Sequence, residues 1–194
     1  MPAVNLTIAL ALWVVWLVSW QVAALWRHEP TSTAPRTTWR WYIVIVAVGM
    51  VMLFTDRQIL SARLWTAGPV TGWAMDALIA ASFAFAWWAR LTMGRLWSGG
   101  VGRTEAHRVV QEGPFAWVRH PIYCALIAAG LALAVIKGTP LAFTGTALVA
   151  IGFGLKARVE ERFLSSELSG YPDYQRRVPM LIPRPPRRYS SRLS

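Results

Sequence analysis

Cysteine is nearly absent from this chain: Cys124 is the single one in 194 residues. No intrachain disulfide, CxxC redox pair or cysteine-based zinc site can therefore form. Acidic residues are scarce too, with nine Asp and Glu against 20 Lys and Arg, and only 15% of the chain is charged. So little charge excludes a disordered, strongly solvated protein. No internal repeat is present. What remains is apolar: 55% of residues are hydrophobic, 12 are Trp, and the mean hydropathy is +0.39. Apolar stretches of about twenty residues, parted by Arg-rich connectors, describe a small polytopic membrane protein built as one helical unit.

The apolar runs at residues 4–26, 39–55, 70–90, 121–137 and 139–155 predict an all-α fold with five transmembrane helices. Gly138-Thr139-Pro140 leaves room only for a tight hairpin between the last two. Trp26, Trp39, Trp41, Trp65, Trp73, Trp87 and Trp88 fall near span ends, where an amphipathic ring sits best at headgroup level. The net charge of +11 is unevenly placed. Arg27, Arg36 and Arg40 lie in the first connector, Arg90, Arg95, Arg103, Arg108 and Arg119 in the third, and nine basic residues follow from Lys156 onward. Five spans put these seventeen of the 20 on one side and leave Arg57, Arg63 and Lys137 on the other. The rule that cytoplasmic loops carry the excess of Lys and Arg then places the N-terminus outside and the C-terminus in the cytoplasm. With no RNA- or DNA-binding motif beside it, this distribution argues against a nucleic-acid partner. The first span lacks the basic n-region of a signal peptide and is kept as a mature helix. Residues 1–183 form one domain, and the basic Pro/Ser segment 184–194 is expected to be a flexible tail that touches anionic lipid.

Two long polar segments, 91–120 and 156–183, share the basic side, and a site is expected between them. EAHRVVQEGPFAWVRHPIYCAL sets His107, Arg119, His120 and Tyr123 around the start of the fourth helix. Pro121 suits the first turn, so Arg119 and His120 stand where free backbone N–H groups and the helix dipole favour an anion. LKARVEERFLSSEL is a charged amphipathic helix carrying the adjacent Glu160 and Glu161. Neighbours on a helix point about 100° apart, so one carboxylate is expected in the pocket and the other against Lys156 or Arg158. Each feature has a plainer reading. Arg119 and His120 can anchor a helix at the membrane surface, and helical spacing allows surface ion pairs among Lys156, Arg158, Glu160, Glu161 and Arg162. His120 and Cys124 have the i,i+4 spacing of a metal pair but lack further ligands, so no metal is expected. The glycine-rich stretch 98–102 follows a membrane helix rather than a strand and lacks the full nucleotide pattern. Asp76, about six residues into the third span, needs a partner, water or a shallow position; it is read as interfacial or structural, outside the site.

The ordered set of His107, Val109-Val110, Gly113, Arg119-His120-Pro121 with Tyr123, Glu160-Glu161 beyond one hairpin, Tyr171 with Tyr174, and Leu181-Ile182-Pro183 resembles the isoprenylcysteine carboxyl methyltransferase family and its prokaryotic relatives. The resemblance covers residues 90 to 183. Two positions depart from the pattern: Phe115 stands where Tyr is common, and Leu168-Ser169-Gly170 replaces a Phe-Gly before the first Tyr. The resemblance implies an integral membrane enzyme that transfers a methyl group from S-adenosylmethionine to a lipophilic acceptor entering from the bilayer. It implies a cytoplasmic cofactor site between the loop before the fourth helix and the segment after the fifth. His107, Val109, Val110, Gly113, Arg119, His120, Tyr123, Arg158 and Glu160 would then bind the cofactor. Glu161, Glu160 and His120 would be catalytic, with Glu161 on the acceptor side.

These expectations fit the chemistry. An Arg and a helix start suit the cofactor's carboxylate, and a Glu suits its ribose diol. A carboxylate acceptor needs no general base, whereas an amine, thiol or phenol would use His120, Glu160 or Glu161. Two rivals belong to other classes: a membrane sterol or steroid reductase using NADPH, and a non-catalytic scaffold whose basic face binds lipid or a partner. The acceptor, the methylated atom and the oligomeric state are not written in the sequence.

Overall fold

The computed structural model describes residues 2–25, 32–33, 40–55, 62–94, 102–103 and 109–185. His107 and most of the basic tail lie outside the described residues. The elements in chain order are α1 (Pro2–Ala24), β1 (Ser32–Thr33), α2 (Arg40–Phe54), α3 (Pro69–Met93), β2 (Gly102–Arg103), a 3-10 turn (Gly113–Ala116), α4 (Pro121–Lys137), α5 (Pro140–Glu167) and α6 (Tyr171–Arg177). The five predicted spans correspond to α1 to α5. Among the described residues three helices are long and apolar enough to cross a membrane, α1, α3 and α5, while α2 and α4 are shorter apolar helices.

Prolines open α3, α4 and α5, where the missing N–H removes no helical bond. Gly138 ends α4 in the left-handed region (φ 62) and donates its N–H to Ala134 O. Thr139 then caps α5 by accepting from Ala142 N, which closes the hairpin anticipated at Gly138-Thr139-Pro140. α5 does not stop at the membrane surface. Its 28 residues reach about 42 Å against a hydrocarbon core of about 30 Å, so about 12 Å of it exceeds the layer, and the polar stretch that begins at Lys156 is the part with the composition to project.

α3 packs between α1 and α4, and α5 packs against both α2 and α4. Gly49 and Gly145 let α2 and α5 meet backbone to backbone: a Cβ on Gly145 would lie 2.6 Å from Gly49 O. Small residues make this close approach where no water drives helices together. Between α1 and α3 the contact is aromatic, with Phe83 set edge-on to Trp13 (5.0 Å) and stacked on Trp16 (5.2 Å). Asp76 has the partner it needs in Asn5, whose Nδ2 donates to Oδ2 at 2.7 Å. Lys137 is buried and donates to Leu53 O and Thr55 O at 2.8 and 2.6 Å, capping the C-terminal end of α2.

Two contacts gather the connectors at one end. β1 pairs antiparallel with β2, Ser32 opposite Arg103, joining the α1–α2 and α3–α4 connectors. The chain after α6 runs back along the loop before α4: Arg119 N donates to Pro179 O (2.9 Å), His120 N to Met180 O (3.1 Å) and Arg184 N to Trp117 O (3.0 Å). First connector, third connector and C-terminal segment therefore share an end, as an odd number of spans requires.

Candidate active site

Gly113 begins the site-forming turn with φ +59, a conformation that glycine adopts without strain. The 3-10 turn buries Phe115, whose carbonyl accepts from Tyr174 Oη at 2.7 Å. Val109 and Val110, both half-buried, lead into it. The chain then delivers Arg119 and His120 to the start of α4, directly opposite the outer end of α5.

Arg119 forks onto Glu161: Nε donates to Oε1 at 2.6 Å and Nη2 to Oε2 at 3.0 Å. Its Nη1 donates to Gln175 O at 2.8 Å and to Val178 O. Four of its five N–H groups are thus committed to α5, α6 and the strap of residues 178–184. The backbone N–H groups of Arg119 and His120, expected to be free for an anion, are also taken, by Pro179 and Met180. Chain reversal after α6 supplied these acceptors, and no local pattern announces it.

His120 is 8% exposed and lies between the two glutamates, Nε2 3.1 Å from Glu161 Oε1 and Nδ1 3.5 Å from Glu160 Oε2. Adjacent carboxylates that leave α5 in different directions both reach it because the ring presents a nitrogen on each side. The anticipated division, one carboxylate inward and one on a surface cation, does not describe the cluster, since Glu160 serves both ways. It accepts from Tyr123 Oη at 2.7 Å and lies 3.6 Å from Lys156 Nζ. Tyr123 in turn stacks between His120 (5.3 Å) and Phe153 (4.8 Å), with Lys156 over its ring. Gln175 Nε2 donates to Glu161 Oε2 at 3.0 Å and its Oε1 accepts from Ser165.

Electrostatics follow from this geometry. Burial opposes charge on His120, but its hydrogen bonds to Glu160 and Glu161, with their negative charges, outweigh burial and raise its pKa. Burial likewise works against ionised Glu161, yet His120 and Arg119 bring its pKa down to about 2. Glu160 is lowered as well, against burial, by His120, Lys156 and Tyr123. Tyr171 and Tyr174 are raised by burial first of all. The cluster therefore sets three basic side chains, Arg119, His120 and Lys156, against two carboxylates whose ionised forms these contacts favour.

Of the residues singled out in the sequence, Arg119, His120, Tyr123, Glu160 and Glu161 come together. Arg158 makes none of these contacts: it is exposed and lines an adjoining pocket with Arg162 and Ser165 that borders the cluster at Glu161 and Gln175. Phe153 and Gln175 belong to the cluster but carried no signal. An aromatic in a span and an amide in a short helix have many plainer uses.

An all-helical membrane chain with an Arg-His-Glu-Glu cluster outside its apolar layer defines the class. Residues 74–166 match the isoprenylcysteine carboxyl methyltransferase (ICMT) family, a stretch just short of half the chain. The match starts in α3, earlier than the resemblance read from residue 90, and ends before α6. Among curated relatives, the chain is 32% identical over 98 residues to the cobalt-zinc-cadmium resistance protein CzcN of Cupriavidus metallidurans, covering 48% of this chain and 44% of that one. It is 28% identical over 156 residues to the nickel-cobalt-cadmium resistance protein NccN of Alcaligenes xylosoxydans xylosoxydans, covering 75% and 63%. It is 27% identical over 182 residues to the methanethiol S-methyltransferase of Mycobacterium tuberculosis, covering 84% and 69%. The chain thus matches less than two thirds of the length of the first two.

Proposed function

We propose that this protein transfers a methyl group from S-adenosylmethionine to a lipophilic acceptor that arrives from the bilayer in anionic form, a carboxylate or a thiolate. The observation that carries this reading is His120, with a carboxylate on each ring nitrogen. Two carboxylates favour the protonated form of such an imidazole, and Glu161, with its pKa near 2, is a weak base. A cluster without a base of ordinary strength suits an acceptor with no proton to give up.

The donor set fits the cofactor. Two carboxylates suit hydroxyl and ammonium groups, and the His120–Tyr123–Phe153 stack offers flat faces beside them. Glu160, His120 and Tyr123 would border the cofactor, with Val109, Val110 and Gly113 on the approach. When bound, S-adenosylmethionine supplies an electrophilic sulfonium methyl group. Transfer of that group to an anionic acceptor would bring opposite charges together. Charge is annihilated, so the chain's part is to align the partners and exclude water. Arg119 acts at one remove, holding Glu161 and the 178–184 strap in place. The family match over residues 74–166 and the likeness to an S-methyltransferase support the reading; the latter brings a sulfur acceptor within the class.

Calorimetry of the detergent-purified protein should show binding of S-adenosylhomocysteine and none of NADPH; the reverse result would make the chain a reductase. On a verified acceptor, Glu160→Gln and Glu161→Gln should lower turnover unequally. Glu161→Gln should lose on the order of tenfold or more, because it also loosens Arg119. Full activity in both variants would leave the cluster a structural ion-pair network.

We further propose that the N-terminus lies outside and the cluster in the cytoplasm, since the connectors gathered with it hold most of the basic residues. Single cysteines placed at residues 3 and 185 in a Cys124→Ala background should label from opposite sides of sealed cells. Labelling from the same side removes the five-span topology.

A further inference from the structure

We propose that Arg158 and Arg162 form a binding site for the phosphate of an anionic membrane lipid. This does not rest on methyl transfer. Both guanidinium groups line a pocket of about 450 Å³ shared with Glu161, Ser165 and Gln175. The other polar groups of that pocket are engaged: Glu161 by Arg119, His120 and Gln175, and Gln175 by Ser165. Glu161 presents little uncompensated charge there, and the two arginines dominate the potential. Standing i,i+4 on one helix face, they can grip one phosphate from two sides.

The rest of that face points to a lipid as the source. Ile151, Leu155, Arg158 and Arg162 follow one another at helical spacing on α5. Ile151 and Leu155 are 54% and 37% exposed on the apolar part, and both arginines are exposed just beyond it. At 1.5 Å per residue, Arg158 and Arg162 lie about 4 and 10 Å past Leu155. The headgroup layer extends about 5 to 7 Å beyond the hydrocarbon, within reach of both long side chains. An acyl chain along Ile151 and Leu155 would bring its phosphate to the pair, as basic pockets on cytoplasmic helix ends do.

The test uses the full chain in neutral detergent, titrated with dioleoylphosphatidylglycerol, dioleoylphosphatidylcholine and inorganic phosphate and read by native mass spectrometry. Phosphatidylglycerol should be retained over phosphatidylcholine. The double variant Arg158→Gln/Arg162→Gln should weaken its binding about tenfold or more, and Arg162→Lys should keep part of the affinity. Arg176→Gln, an exposed arginine on α6, should leave it unchanged. Melting curves confirm that each variant is folded. Equal retention of the two lipids, or undiminished binding in the double variant, overturns the proposal. Inorganic phosphate bound as tightly as the lipid overturns the lipid as source. Loss of S-adenosylhomocysteine binding in the double variant with lipid binding intact gives the pair to the cofactor instead.

Discussion

Arg119→Ala should lower the thermal midpoint on the order of 10 °C and expose the chain after α6 to protease. Arg119 and Glu161 are both about nine-tenths buried, and removing one partner of such a pair costs about 3–5 kcal/mol. In a protein of this size each kcal/mol shifts the midpoint by roughly 2–4 °C. His120 remains to face Glu161 and limits the loss. The carbonyls of Gln175 and Val178 lose their donor, so the strap keeps only its backbone bonds to residues 117–120. Arg119→Lys should recover less than half of the difference, because one ammonium cannot reproduce a fork that engages a carboxylate and two carbonyls together. Limited proteolysis with mass readout should find new cuts after residue 177 in the alanine variant. An unchanged midpoint and cleavage pattern would show that Arg119 holds neither Glu161 nor the strap.

The architecture was legible because membrane physics writes it in long words. Five apolar runs, Pro121 at a helix start and the Gly138-Thr139-Pro140 turn each have one economical reading, and the uneven basic residues count the spans. The cluster was legible in its members, because Arg119, His120, Tyr123, Glu160 and Glu161 fall on the two polar segments brought to one end. Its wiring was not. That both glutamates meet His120 depends on where α4 starts relative to the end of α5, a tertiary distance that helical phase leaves open. That Arg119 faces inward onto protein carbonyls, and not outward to a small anion, depends on the return of residues 178–184. Pro179 and Met180 contribute only backbone there, and any residue has a carbonyl. Gly113 lies between these extremes: its glycine is visible, while the positive φ that requires it is seen only in the fold.

The same cluster should set the pH range of the protein. Glu161 has its pKa lowered from 4.5 to about 2 in the fold. Its contribution is therefore fully present above about pH 4.5, where an unfolded glutamate is already ionised, and is lost as pH falls toward 2. This limb amounts to about 3 kcal/mol at most, with Glu160 adding in the same direction. His120 has its pKa raised above 6.5, so its contribution is fully present below pH 6.5 and is lost as pH rises through the folded-state value. The two limbs leave a stability plateau between about pH 4.5 and 6.5, falling away on both sides. Melting curves of the detergent-purified protein from pH 3 to 9 should show this shape. Glu161→Gln should flatten the acid limb, and His120→Gln should flatten the alkaline one, each lowering the plateau itself. An alkaline limb that persists unchanged in His120→Gln would show that the imidazole between the two carboxylates is neutral in the folded protein, and would remove the ground for an acceptor that needs no base.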